Sequence, residues 1–184
     1  MEKGYRHEYK YLLNGAKENI LRVRADGILM RDTHAQTDGS YLIRSLYFDD
    51  YKDNCVNENQ NGTDPRSKFR IRYYNNDLTY IRLEKKNKTR SMTLKESCKL
   101  TLEECKTFLQ GRIPTVTGDM SPSKQKLFLE MQLRGLMPKV IVTYERIPYV
   151  YSGGNVRVTF DRNISSSSDI DHFLDGTYMS RPIL

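Results

Sequence analysis

The chain has no tryptophan, and its 184 residues include only three cysteines and three histidines. Cys55, Cys98 and Cys105 form no Cys-x-x-Cys pair and leave an odd thiol, which argues against a disulfide framework. His7, His34 and His172 are too scattered to complete a zinc site with them. No apolar run approaches the ~20 residues of a membrane span. The opening Met-Glu-Lys-Gly-Tyr-Arg-His lacks the apolar core of a secretory signal. A reduced, cytoplasmic setting is expected, in which Asn61-Gly-Thr is no glycosylation acceptor. Neither Gly-x-x-x-x-Gly-Lys-Ser/Thr nor Gly-x-Ser-x-Gly is present, and no Cys-His arrangement stands out for nucleophilic catalysis. No repeat of fixed period occurs.

Acidic residues are also short. Thirty Lys and Arg face 23 Asp and Glu, a formal charge of +7. That balance favours anionic partners: nucleic acid, phosphorylated small molecules, polyphosphate or an acidic membrane surface. The apolar fraction of 38% is low, yet 13 Tyr and 6 Phe are too many for a disordered chain. Length and composition together predict one domain over residues 1–184 with a partly polar interior.

The most informative stretch is Lys68 to Lys86. Lys68, Arg70 and Arg72 alternate with Phe69, Ile71 and Tyr73, and Arg82, Glu84 and Lys86 alternate with Ile81 and Leu83. Asn75-Asn76-Asp77 between the two arms is good turn chemistry. The pattern predicts a hairpin with one apolar and one cationic face. Arginine at successive positions offers planar forks for phosphate or carboxylate. Cations about 8 Å apart at an effective dielectric near 20 repel by roughly 2 kcal/mol per pair, a cost that a bound polyanion removes.

The remaining segments repeat the theme. Tyr5 to Leu13 reads as a strand with Arg6, Glu8 and Lys10 on one side. Asn14 is a helix cap for a segment to about Leu29 with Ile20, Leu21, Val23 and Ile28 at helical spacing. Tyr41 to Asp49 is a strand, and Ser91 to Lys95 a short one. Thr101-Leu-Glu-Glu104 is a capping box opening a helix that ends at Gly111. Its apolar stripe makes Cys105 a core residue. Ser121-Pro122 starts another helix, with Leu127, Phe128 and Met131 buried and Gly135 as its stop. Val140 to Arg146 and Val156 to Asp161 are strands, the first aligning Tyr144 with Arg146 and the second carrying Arg157. About seven strands predict an α+β fold, an antiparallel sheet curled into a barrel with helices outside. Arg44 and Arg157 are expected phosphate contacts by strand face, and Glu8 and Glu84 are metal-ligand candidates by face and type. RNA is disfavoured because the aromatic positions mostly alternate away from the arginines.

Taken in order, Tyr-Arg-His-Glu-Tyr-Lys-Tyr (5–11), Ile-Arg-Ser-Leu-Tyr-Phe-Asp-Asp (43–50), Lys-Phe-Arg-Ile-Arg-Tyr-Tyr (68–74), Leu-Glu-Lys-Lys (83–86), Thr-Tyr-Glu-Arg (143–146) and Val-Arg-Val-Thr-Phe-Asp (156–161) resemble the VTC-type polyphosphate polymerase domain. That family belongs to the CYTH-like triphosphate tunnel metalloenzymes. The resemblance implies a tunnel-shaped antiparallel barrel that binds ATP with Mn²⁺ or Mg²⁺ and transfers its γ-phosphate to inorganic polyphosphate. It implies a catalytic set of Arg70, Arg72, Lys86 and Arg146, with Lys10 and Lys95 binding phosphate and Tyr144 touching adenine. It also implies membrane proteins as partners in a larger complex, and no DNA. Family members continue past the Arg-Pro-Ile-Leu position into a further strand with a metal-binding glutamate, so the barrel is expected to lack its last strand. A triphosphatase of the same fold and a non-catalytic polyanion-binding module stay open as alternatives.

Overall fold

The computed structural model describes residues 6–33, 38–90, 92–154 and 156–183. Nine strands and four α-helices follow in the order β1 (Arg6–His7), α1 (Gly15–Ile28), β2 (Met30–Arg31), β3 (Tyr41–Asp49), α2 (Asn54–Gln60), β4 (Arg66–Tyr74), β5 (Asp77–Thr89), β6 (Met92–Leu100), α3 (Leu102–Leu109), α4 (Pro122–Leu133), β7 (Met137–Tyr151), β8 (Val156–Ser167) and β9 (Arg181–Pro182). A 3₁₀ turn, Ile170–His172, precedes β9. All ladders are antiparallel in one sheet ordered β1-β6-β5-β4-β3-β7-β8-β9, with β2 on the outer end of β7. The α+β antiparallel architecture is therefore as expected. Closure is not: among the described residues no ladder joins the β1 end to the β9 end.

Local chemistry explains the elements. At the β4–β5 turn, Asn75 and Asn76 both adopt left-handed backbone, φ 50° and 58°, which asparagine tolerates and a β-branched residue resists. Asn14 caps α1 by accepting from the Lys17 amide at 2.9 Å. In α3 the Thr101 hydroxyl accepts from the Glu104 amide, and the Glu104 carboxylate accepts from the Thr101 amide at 2.7 Å. The first strand is much shorter than expected: only Arg6–His7 pair, with Thr93 and Met92, and Tyr5 lies outside the described residues.

One face of the sheet carries the core. Phe69, Ile71 and Tyr73 of β4, Ile81 and Leu83 of β5, and Leu46 and Phe48 of β3 pack beneath Cys105 and Phe108 of α3 and Leu127, Phe128 and Met131 of α4. Cys105 is fully buried, and burial pushes its thiol up to about 12, so it is core and not nucleophile. The first helix departs from its pattern. It buries only Ala25, against Ile147, Tyr149 and Phe160, while Ile20, Leu21, Val23 and Ile28 stay exposed. Among the described residues, no helix is long and apolar enough to cross a membrane.

Candidate anion-binding face

The opposite face is built by register. Lys68 pairs with Lys86 and Lys86 with Lys95; Arg70 with Glu84 and Glu84 with Ser97; Arg72 with Arg82 and Arg82 with Lys99. Directly paired residues share a face, and so do residues two apart on a strand. The result is a grid of three rows on three strands, with neighbours about 5 Å apart across strands and about 7 Å along them. Seven positions are basic, one is serine, and the central one is Glu84.

Glu84 is 1% exposed. Its Oε1 accepts from Lys95 Nζ at 2.6 Å and its Oε2 from Arg70 Nε at 2.9 Å, with Arg70 Nη2 at 2.7 Å and Arg72 Nη1 at 3.8 Å. Burial alone would raise the carboxyl; Arg70, Arg72 and Lys95 overcome it and hold it at about 2. Arg70 also donates from Nη1 to the Tyr47 hydroxyl at 3.0 Å. Of its five N–H groups, the three bonds to Glu84 and Tyr47 leave two, one on each terminal nitrogen, for another acceptor. Burial would raise the Tyr47 phenol, and the charges of Arg70, Arg72 and Lys68 pull it below its ordinary value instead. Burial lowers Lys68, and Lys10, Arg66 and Lys86 add to the effect.

The β1 segment meets the grid through Glu8, which accepts from Lys86 and stands 3.9 Å from Lys10. Burial raises Glu8 while Lys86, Lys10 and Arg70 lower it, with a net fall. On the other side the rows continue through Tyr47 and Ser45 of β3 into β7. Arg72 donates from Nη2 to the Tyr144 hydroxyl at 3.1 Å, and Arg146 stacks over the Tyr144 ring at 5.3 Å. Tyr144 thus lies between two arginines. Arg146 is bound bidentately by Asp161, at 2.6 and 2.7 Å.

The expected residues therefore divide. Arg70, Arg72, Lys86 and Lys95 share the grid, Lys10 borders it, and Tyr144 and Arg146 stand one and two rows beyond Arg72 on the same face. Arg157 does not join them. It pairs with Val150, two further rows along β7, and its guanidinium is taken by the buried Asp32. Arg44 is a correction of another kind. Its partners across the strands are Tyr73 and Thr143, on the helix-covered face. There it is buried, donates to the Tyr73 hydroxyl at 2.5 Å, and lies over the Tyr73 and Tyr178 rings. The strand carries polar residues on both faces, and charge selects the wrong one: Ser45 and Tyr47 face the arginines. Tyr47, which the strand pattern alone did not single out, joins the basic face through its bond to Arg70, and its parity with Ser45 is the signal that places it there. The placement of aromatic residues also needs correction, since Tyr41, Tyr47, Tyr74 and Tyr144 all lie on the basic face. Tyr41 and Tyr74 pack edge to face at 5.6 Å and Tyr144 is buried with them, so these rings are wall and not open stacking platforms.

The two proposed metal ligands differ. Glu84 does not fit a divalent ion, because it is buried with each oxygen already accepting from a cationic N–H donor. A dication about 5 Å from each of three cations, at an effective dielectric of 20, is repelled by roughly 7 kcal/mol per cation. Glu8 fits better: it is partly exposed, and a single carboxylate supplementing phosphate oxygens is a common way to hold Mg²⁺. Among the described residues, no three His, Cys, Asp or Glu side chains cluster as a metal site.

The model of the VTC domain family matches residues 5–183. No curated protein gave a sequence match. Among solved structures, a candidate adenylate cyclase from Bacillus halodurans is similar with a TM-score of 0.52 and 17% identity, over 82% of this chain and 68% of that one. A candidate adenylyl cyclase from Hippeastrum with a dominant triphosphatase activity gives a TM-score of 0.47 and 14% identity, over 85% and 70%. The first likeness shows that the α+β antiparallel fold is shared.

Proposed function

The chain belongs to the VTC domain family, and from that premise we propose that its basic face grips the triphosphate of ATP and transfers the γ-phosphate to a polyphosphate chain. The observation that carries the reading is the Arg70 fork. It is fixed by Glu84 and Tyr47 in the middle row of a cationic grid, with two N–H groups left over. Phosphoryl transfer needs little covalent help from a protein. It needs in-line positioning and positive charge around the equatorial oxygens.

Each residue then has a task. Arg70 offers its remaining fork to one phosphoryl group. Lys68, Lys86 and Lys95 form the row on one side of it, and Arg72, Arg82 and Lys99 the row on the other, so neighbouring phosphates meet cations on either side. Tyr144, held between Arg72 and Arg146, marks the side on which the base of the nucleotide would rest. A divalent ion chelated by the phosphates would find Glu8 as its protein carboxylate and would supply further positive charge at the transferring group. The three cysteines are unpaired and buried, which suits the reduced cytoplasmic setting in which ATP and inorganic polyphosphate would be its partners.

The test is incubation with ATP and Mn²⁺ followed by separation of products by chain length. Long-chain polyphosphate is expected. Free phosphate in its place would assign the same face to hydrolysis, and tight metal-independent binding without turnover would make it a polyanion-binding module.

A further inference from the structure

Glu84 is the one acid within the grid, and by face and type alone it is a metal-ligand candidate. Its surroundings point elsewhere. It is 1% exposed, and its two oxygens are occupied by Lys95 and Arg70, with Arg72 close behind. Arg70 and Arg72 come from β4 and Lys95 from β6, on either side of the strand that carries Glu84. One carboxylate against three cations leaves two positive charges in excess, so the cluster still attracts an anion. That attraction is weaker than it would be with an uncharged residue at the centre.

We propose that Glu84 is a standing counter-anion: a positioning residue that aligns Arg70, Arg72 and Lys95 while loosening their hold on bound phosphate, so that product can leave. This rests on the reading that the grid binds phosphoryl groups. Two consequences follow from the geometry. The carboxylate holds three cations at fixed places on adjacent strands when no ligand is present, removing a repulsion that would otherwise splay them. It also lies beneath any phosphate that Arg70 takes, and like charge at about 6 Å in a partly desolvated site weakens binding by about tenfold or more. A metal ligand would do neither, and its removal would weaken metal-dependent binding.

The experiment compares wild-type protein and Glu84→Gln, which keeps shape and one acceptor but removes the charge. Tripolyphosphate is titrated by calorimetry at fixed salt, once with EDTA and once with Mn²⁺, and circular dichroism checks the fold. Glu84→Gln should bind tripolyphosphate about tenfold more tightly in EDTA. With ATP, kcat and KM should fall together, because release slows as the ground state is held harder. Unchanged or weaker binding by folded Glu84→Gln overturns the proposal, and so does an effect seen only with Mn²⁺. If Glu84→Gln does not fold, Lys95→Met and Lys68→Met decide. Both remove one grid cation, but only the first also frees a Glu84 oxygen, so it should weaken binding several-fold more; equal losses overturn the proposal. Absence of tripolyphosphate binding by the wild-type protein overturns the phosphate reading and this inference with it, whereas wild-type binding that Glu84→Gln leaves unaltered defeats this inference alone.

Discussion

Acid should find Glu84 early in its effect on stability. The folded carboxyl sits at about 2 against an ordinary 4.5, because Arg70, Arg72 and Lys95 outweigh the burial that would raise it. A carboxyl whose folded value is depressed stabilises the native state at every pH above its unfolded value. That contribution is lost as pH falls from about 4.5 towards 2. At ~1.4 kcal/mol per unit, the full shift corresponds to about 3 kcal/mol. The group is almost wholly buried, so little of this is lost to solvent screening. Other carboxylates contribute to acid sensitivity as well, Glu8 and Asp26 among them. The decisive quantity is therefore a difference. Urea unfolding of wild-type protein and Glu84→Gln is measured at pH 6, 4 and 2.5. At pH 6 the variant should be less stable by about 3 kcal/mol, a midpoint lower by about 1.5 M for a slope near 2 kcal/mol/M. The gap should narrow steadily as pH falls. Parallel pH profiles for the two proteins would refute the reasoning, since they would mean that Glu84 has no depressed ionisation to lose.

Other consequences can be checked in the same preparations. Tripolyphosphate at a hundred times its dissociation constant stabilises a native-state binder by about 2.7 kcal/mol. For a chain of this size that is a rise in Tm of roughly 5–10 °C, and Arg70→Ala should abolish most of it by differential scanning fluorimetry. Arg44→Met should leave tripolyphosphate affinity unchanged, because Arg44 lies on the other face; weakened binding by the folded variant would contradict the register. Its stability should change by no more than about 1 kcal/mol, since the bonds from Arg44 Nη1 to the Tyr73 hydroxyl and the Phe173 carbonyl are lost together with a buried charge whose Nε has no hydrogen-bond partner, while methionine keeps the site filled. Arg44→Ala should cost about 3 kcal/mol through the cavity it leaves.

The sequence was most legible where local chemistry and tertiary packing agree. Alternation from Lys68 to Lys86 placed Lys68, Arg70, Arg72, Arg82 and Lys86 on one face because Phe69, Ile71, Tyr73, Ile81 and Leu83 make the core of the other apolar, which leaves the register no choice; Lys85, opposite Phe69, is the cation that falls on the helix-covered side. The capping box and the stripe of α4 were legible for the same reason. On β3, Arg44 and Ser45 make both faces polar, and only pairing with β4 shows which joins the arginines. The first helix misled in a different way. Its apolar residues follow helical spacing, yet Glu18, Arg22 and Ala25 make a stripe of their own, and a tertiary contact to Tyr149 and Phe160 selected it. Counter-ions were invisible as well. That Asp161 would claim Arg146 and Asp32 would claim Arg157 depends on residues 15 or more positions away.

The tie between Arg44 and the distal chain has a consequence for the order of assembly. Tyr73 donates to the Phe173 carbonyl at 2.5 Å across 100 positions of sequence, and Arg44 reaches the same oxygen at 3.4 Å across 129. Gly176, at φ 76°, lies against the guanidinium where any side chain would collide with it. During synthesis, the β4–β5 hairpin is complete long before Phe173 exists. Until then the buried guanidinium has neither this carbonyl nor the Tyr178 ring, so water must remain at the centre of the β3–β4 pair. The sheet can draft itself locally, but its middle dries only when residues 173–178 arrive. Nascent chains arrested before Phe173 should therefore show rapid amide exchange at Arg44 and Tyr73, and chains released with Tyr178 in place should not.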